Sequence, residues 1–197
     1  MLETKSFKFV RNPIWPVKAV LEISDTGINN KGKVVKWEDI AEFSYSVKLV
    51  NGSPSYMYQY KDKNGKRNTI SMVVLATGKK SKKQMFEEIY WAMDRGFKEK
   101  VVGPRAKEMA EKIGMGESFT VGKCQLSIKG IEIRKGLIKK EPAFIPWEDV
   151  VLNPPAEGAY SISSAQNKKT AMYISYETHK EARMLEGIVG VMAQGMK

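Results

Sequence analysis

Two acidic pairs are the first candidates for chemistry in this sequence. Glu38-Asp39 occurs within VKWEDI, and Glu148-Asp149 occurs within IPWEDV. Paired carboxylates can bind a hard cation or exchange a proton with a substrate. Adjacent side chains of a strand point to opposite faces, however, and neither pair has a cluster of further ligands beside it in the sequence. We therefore predict no metal, no cofactor and no catalytic residue at these positions.

The spacing within each WED phrase favours a structural role. Trp37 and Ile40 are three residues apart, so the two-residue period of a strand cannot bury both side chains. A turn or bulge at Glu38-Asp39 would bury both, with the Asp39 carboxylate accepting hydrogen bonds from nearby backbone amides. The predicted structural residues are Trp37, Asp39, Trp147 and Asp149.

Nucleophilic chemistry has few candidates. Cys124 is the only cysteine and His179 the only histidine. A Cys124–His179 pair stays open, but Cys124 lies in a predicted strand with no neighbour that would lower its pKa, which favours a buried structural thiol. The GKKS stretch at residues 78–81 departs from the P-loop pattern, so no nucleotide site is predicted there.

Basic residues outnumber acidic residues. The 197 residues include 33 lysines and arginines against 22 aspartates and glutamates, a net charge of +11 that attracts polyanions. Most are lysines, which supply diffuse charge rather than the bidentate contacts of arginine. The candidate ligand-binding residues, in two predicted loops, are Lys31, Lys33, Lys129, Arg134, Lys135, Lys139 and Lys140. The alternative is a solvated surface that keeps the protein soluble.

Three tyrosines alternate in the segment YMYQY. Tyr56, Tyr58 and Tyr60 therefore share one face of a predicted strand. If exposed beside lysines, they would form a platform on which nucleic-acid bases stack. We favour the interpretation that they belong to the core, and base stacking stays as the alternative.

The elements that must position these groups are mainly strands. Asn64-Gly65 lies between two strand-like segments and predicts a hairpin with a type I′ turn. Apolar residues recur at helical spacing from Ser81 and again over residues 178–194. Gly103-Pro104 predicts a break, followed by a short linking helix over residues 105–113.

The features recur in the same order in both halves of the chain. The recurring landmarks are Ser-Phe at 6–7 and 118–119, Gly-Ile at 27–28 and 130–131, the WED phrase, a hairpin and a helix. This shared order of landmarks favours one unit used twice. We predict a first domain at residues 1–102, a linker at 103–116 and a second domain at 117–197.

The landmark residues resemble those of one family. In the first half they are Leu21, Ile23, Gly27, Ile28, Val35, Trp37, Asp39 and Ile40. In the second half they are Leu126, Ile128, Gly130, Ile131, Ile145, Trp147, Asp149 and Val150. The pattern is similar to that of bacterial pleckstrin-homology-like domains and, more loosely, GRAM domains. The second half departs by two residues in its Leu-to-Gly spacing.

The resemblance implies a mainly β fold with helices. Each unit would be a bent antiparallel β-sandwich or barrel of about six to seven strands, closed by a C-terminal amphipathic helix. In lipid-binding members of the family, the loop after the first strand supplies basic residues to phosphorylated headgroups. The basic loops of this chain resemble that site in position.

The function expected from these features is binding. The first hypothesis is a non-enzymatic binding or scaffolding module whose basic loops recognise anionic lipid headgroups or an acidic protein. The second is nucleic-acid binding by a lysine-rich face, and the third is an unrecognised enzymatic activity.

No apolar run reaches the roughly 20 residues of a membrane span. The N-terminus lacks the apolar core of a secretory signal, which predicts a cytoplasmic protein, peripheral at the membrane under the first hypothesis. The sequence leaves the oligomeric state open.

Overall fold

The chain folds as a mainly β protein with helices, as expected. The computed structural model describes residues 4–10, 18–50, 53–73, 80–135, 141–156, 158–176, 178–179 and 181–195. Within these residues, antiparallel strands form four open sheets, none of which closes into a barrel. The chain divides into two compact units, residues 1–101 and 102–197.

The first unit contains two sheets and a helix. Its strands are β1 Lys5–Val10, β2 Lys18–Ile23, β3 Gly27–Asn30, β4 Lys33–Lys36, β5 Ile40–Val50, β6 Ser53–Asp62 and β7 Arg67–Val73. Strands β1 to β4 form one sheet and β5 to β7 the other, each in chain order. Helix α1, Lys80–Phe97, follows. Its apolar residues Phe86, Ile89, Met93 and Phe97 are fully buried, because their spacing places them on one face.

The second unit repeats this order with one additional helix. Its strands are β8 Phe119–Val121, β9 Cys124–Ser127, β10 Gly130–Lys135, β11 Glu141–Pro146, β12 Val150–Ala156, β13 Ala159–Ser164 and β14 Ala171–Ser175. Strands β8 to β11 form a four-stranded sheet and β12 to β14 a three-stranded sheet. Helix α2, Gly103–Gly114, precedes the strands, and helix α3, Ala182–Gly195, follows them.

Helix α2 covers most of the segment that was expected to link the units. Its Ala106 and Ile113 lie in the hydrophobic core of the second unit. A Cβ atom on Gly187 of α3 would lie 2.5 Å from Val102 Cγ1 and 3.3 Å from the Ala106 Cβ. The glycine therefore permits a close approach of α2 and α3.

Two expected helix boundaries are wrong. The helical backbone does not break at Gly103-Pro104, because a π-helical segment, Lys98–Val102, leads directly into α2. Pro104 occupies the first turn of α2, where its missing N–H costs little. Helix α3 begins at Ala182 rather than at residue 178.

The hairpin at Asn64-Gly65 is confirmed, but its turn type is not. A type I′ turn needs positive φ at both central residues. Gly65 has φ 79°, whereas Lys31 is the only non-glycine residue of the described chain with positive φ. The Asp62 carboxylate instead accepts hydrogen bonds from the backbone N–H groups of Asn64 at 3.0 Å and Lys66 at 2.9 Å. These bonds favour a different turn geometry.

Strand pairing corrects the alignment of the two halves. Ile23 pairs with Ile28, and Leu126 pairs with Ile131, so Leu126 corresponds to Ile23 and not to Leu21. Cys124 then takes the position of Leu21. Ile128, which the sequence aligned with a core strand residue, is 46% exposed in a turn. The departure in the Leu-to-Gly spacing therefore disappears, since Ile23 and Leu126 each lie four residues before the glycine.

The Ser-Phe landmark is also out of register. Phe7 lies opposite Leu21, whereas Phe119 lies opposite Leu126. These partners occupy different positions in the two units, so Phe7 and Phe119 do not correspond. The repeated unit rests on the Gly-Ile and WED landmarks.

Candidate functional site

The WED phrases form equivalent 3₁₀ turns between the two sheets of each unit. The turns are Trp37–Asp39 and Trp147–Asp149. Trp37 and Ile40 are 3% and 0% exposed, so the turn buries both side chains, as their spacing predicts. Trp147 and Val150 are buried in the same way.

Each buried tryptophan makes the same hydrogen bond. The Trp37 Nε1–H donates to the carbonyl oxygen of Ser24 at 2.9 Å. The Trp147 Nε1–H donates to the carbonyl oxygen of Ser127 at 2.8 Å. Both serines lie three residues before the glycine of the Gly-Ile landmark. In each unit the bond therefore joins the WED turn to the residues just before the Gly-Ile landmark. It also gives the N–H of a buried indole a hydrogen-bond acceptor.

The carboxylates of the first WED phrase are paired with lysines. The Glu38 Oε1 lies 3.4 Å from the Lys36 Nζ, and the Asp39 Oδ1 lies 3.3 Å from the Lys63 Nζ. Within the described residues the Asp39 carboxylate accepts no backbone N–H, so that expectation is wrong. The Asp39 carbonyl oxygen instead accepts the backbone N–H of Lys63 at 2.9 Å. Among all the residues that the structure describes, no three or more His, Cys, Asp or Glu side chains form a group that could hold a metal ion.

A separate group of lysines lies where β3 turns into β4. Lys31 occupies the turn and Lys33 begins β4. The backbone N–H of Lys31 donates to the carbonyl oxygen of Val20 at 3.0 Å, and Val20 pairs with Lys8. All three lysine side chains are exposed. We call Lys8, Lys31 and Lys33 the basic end of the first unit.

The basic end differs in ion pairing from the lysines near the WED phrase. Those lysines are Lys36, Lys61 and Lys63, and their carboxylate partners are Glu38, Glu42 and Asp39. As far as the chain is described, none of the three lysines of the basic end forms an ion pair. Their charge is therefore available to an external anion.

Exposed aliphatic side chains accompany the basic end. Val20 is 39% exposed and Val34 is 67% exposed. Val20 lies opposite Lys8 and shares its face. Val34 pairs with Asn29, and Asn29 pairs with Glu22. Glu22 is two residues from Val20 in β2, so Val34 lies on the same face as Val20. Lys8, Val20 and Val34 could not be predicted as neighbours from the sequence, since only the strand register brings them to one face.

The second unit does not bring together all of its predicted basic residues. Lys129 lies in the turn before β10, whereas Lys135 ends that strand, so roughly 20 Å separates them along the chain. Arg134 is exposed, and Lys123 is exposed in the turn before β9 at the same end of the sheet. Lys139 and Lys140 lie outside the described residues. The expected cluster from Lys129 to Lys140 is therefore not a single site among the residues that are described.

The tyrosines of β6 belong to the core. Tyr56, Tyr58 and Tyr60 are 8%, 0% and 3% exposed. The Tyr58 hydroxyl donates to the carbonyl oxygen of Tyr90 in α1 at 2.8 Å, and its ring lies 6.0 Å from that of Phe97. Because these rings are buried, they offer no surface on which a base could stack.

Cys124 is a buried structural thiol. Its Sγ lies 3.7 Å from the Met172 Sδ. Burial raises the pKa of the Cys124 thiol to about 12, the opposite of the shift that activates a nucleophile. The Nδ1 of His179 contacts the Thr178 Oγ1 at 3.0 Å. Cys124 and His179 thus interact with different residues.

We expect the Cys124 thiol of the folded protein not to react with a disulfide reagent at pH 8, because the thiolate is scarce and the sulfur is buried. The measurement is the release of chromophore from Ellman's reagent with and without guanidinium. Met115→Cys is the control, since residue 115 is 82% exposed and the introduced thiol should react in the folded state. Equal reaction rates of the two thiols in the folded Met115→Cys protein would contradict the assignment.

No family model matches the chain, and searches of curated proteins and solved structures gave no match either. In the residues described, no helix has the length and apolar character needed to cross a membrane.

Proposed function

We propose that this protein is a non-enzymatic binding or scaffolding module that attaches to an anionic membrane surface through its basic end. The proposal includes two pleckstrin-homology-like units, each with a four-stranded sheet, a three-stranded sheet and a C-terminal helix. The repeated tryptophan hydrogen bond and the repeated strand order support this division. The proposed location is cytoplasmic and peripheral at the membrane.

The observation that carries the proposal is the contrast in ion pairing within the first unit. Lysines beside the WED phrase are paired with carboxylates, and the exposed lysines of the basic end are not, throughout the described residues. Each lysine near an anionic membrane contributes about 1 kcal/mol of attraction. The exposed Val20 and Val34 add apolar surface on the face that carries Lys8, which suits a headgroup layer better than a nucleic-acid backbone.

Two other anionic partners compete with this proposal. An acidic protein would use the same lysines and is the alternative form of the binding hypothesis. Nucleic acid would also be attracted by the net charge of +11. It lacks the support of an aromatic platform, because the β6 tyrosines are buried. The following test separates them, because binding to neither vesicles nor DNA leaves the acidic protein and tighter binding to DNA favours nucleic acid.

The test is sedimentation with vesicles of phosphatidylcholine alone or mixed with phosphatidylserine. We expect the wild-type protein to sediment only with the anionic vesicles at low salt and to dissociate as salt is added. Replacing Lys8, Lys31 and Lys33 by Gln should weaken binding on the order of a hundredfold, from about 1 kcal/mol for each lysine.

The matched control removes three lysines that are already paired. Lys36, Lys61 and Lys63 are replaced by Gln, which changes the net charge by the same amount. We expect this variant to bind nearly as well as the wild type. Equal losses in both variants would show diffuse attraction without a site, and no sedimentation of the wild type would exclude the membrane. Tighter binding to duplex DNA at the same salt would favour nucleic acid instead.

A further inference from the structure

The turn between β3 and β4 holds a lysine in an unfavourable backbone conformation. Lys31 has φ 57° and Gly32 has φ 80°, and Asn30 pairs with Lys33 on either side of them. Positive φ at both central residues is the geometry of a type I′ turn. Such turns favour Gly, which has no Cβ atom to crowd the carbonyl oxygen, or Asn and Asp, whose short polar side chains offset that crowding with local hydrogen bonds.

The surrounding backbone leaves Lys31 little freedom to relax. Its N–H donates to the carbonyl oxygen of Val20 in β2, and the register of β3 and β4 fixes a loop of two residues. A strained conformation persists only where the neighbouring structure enforces it in this way.

Within the described residues, no polar contact of the Lys31 side chain offsets this strain. It is exposed, and in the described parts of the chain it forms neither an ion pair nor a side-chain hydrogen bond. Asparagine would relieve the strain, and asparagine already stands at the two preceding positions, Asn29 and Asn30. A strained residue whose side chain makes no compensating contact is a candidate for contact with a partner.

We infer that Lys31 is a ligand-contacting residue of the basic end, kept in the turn at the expense of stability so that its ammonium group is available to an anionic surface. This inference rests on the proposed function and adds to it one specific residue. Lys31 lies in the turn itself, whereas Lys8 and Lys33 lie on strands.

The test compares three single substitutions by thermal unfolding and by sedimentation with phosphatidylcholine–phosphatidylserine vesicles. Lys31→Asn should raise the melting temperature by at least about 2 °C, because the strain is relieved. It should also weaken vesicle binding about fivefold, because one interfacial charge is lost. Lys31→Arg keeps the charge and the strain, so it should change neither quantity.

Lys168→Asn is the matched control. Lys168 is an exposed turn lysine of the second unit without positive φ, so the same chemical change should raise neither the melting temperature nor the dissociation constant. An unchanged melting temperature for Lys31→Asn overturns the strain argument. Vesicle binding by Lys31→Asn equal to that of a binding wild type overturns only the assignment of Lys31. A wild type that does not bind anionic vesicles overturns the proposed function and this inference together.

Discussion

Replacing Trp37 by alanine is expected to lower the free energy of unfolding by about 3–5 kcal/mol, the cost of deleting a large buried aromatic side chain. The indole is 3% exposed and packs edge-to-face on Phe97 at a centroid distance of 5.4 Å. The substitution also leaves the Ser24 carbonyl without its donor. The measurement is guanidinium denaturation followed by far-UV circular dichroism.

Trp91→Ala is the matched control in the same unit. Its indole is 58% exposed on α1, so we expect a much smaller loss of stability. Asp39→Ala removes only an exposed ion pair and should cost less than about 1 kcal/mol. Trp37→Phe keeps an aromatic ring and addresses the case in which the alanine variant does not fold. Similar denaturation midpoints for Trp37→Ala and Trp91→Ala would contradict the role assigned to the WED turn.

Adding one methyl group at Gly27 or Gly130 is expected to destabilise the protein by about 1–3 kcal/mol or more, because the tightly packed backbone must move. A Cβ atom on Gly27 would lie 2.3 Å from the carbonyl oxygen of Val35. A Cβ atom on Gly130 would lie 2.3 Å from the carbonyl oxygen of Ile145. These oxygens belong to the neighbouring strand of each four-stranded sheet, so rotating a side chain cannot relieve the contact.

The control for the glycine substitutions is Gly190→Ala in α3. A Cβ atom at this position would have no neighbour within 4 Å, so alanine should stabilise the helix by up to about 1 kcal/mol. Thermal unfolding of the three variants provides the comparison. Unchanged stability of Gly27→Ala and Gly130→Ala would mean that the close strand approach is not a requirement of the repeated unit.

Periodic and local features were predicted correctly because their causes lie within a few residues. The three-residue spacing of Trp37 and Ile40 requires a turn between them whatever surrounds it. Alternation places Tyr56, Tyr58 and Tyr60 on one face, and helical spacing identifies the buried face of α1. The repeated WED phrase also indicated a repeated unit before any strand pairing was known.

Features that depend on strand register were predicted poorly. The landmark pattern matched Ile128 to the core residue Ile23, but pairing between β9 and β10 places Ile128 in an exposed turn. The Asn64-Gly65 pair predicted a type I′ turn, but hydrogen bonds to the Asp62 carboxylate stabilise a different turn geometry there. The turn with positive φ at both central residues lies instead at Lys31-Gly32, where lysine made it hard to recognise.

The candidate site shows the same division between local pattern and tertiary structure. The sequence by itself determined the mainly β fold, the buried WED turns and a surplus of positive charge, because hydrophobic period and composition act locally. Only the tertiary structure decided which lysines are neutralised, since ion pairing depends on carboxylates brought near by strand pairing. That pairing gives Lys63 a partner in Asp39, and it sets Lys31 beside Val20 and Lys8.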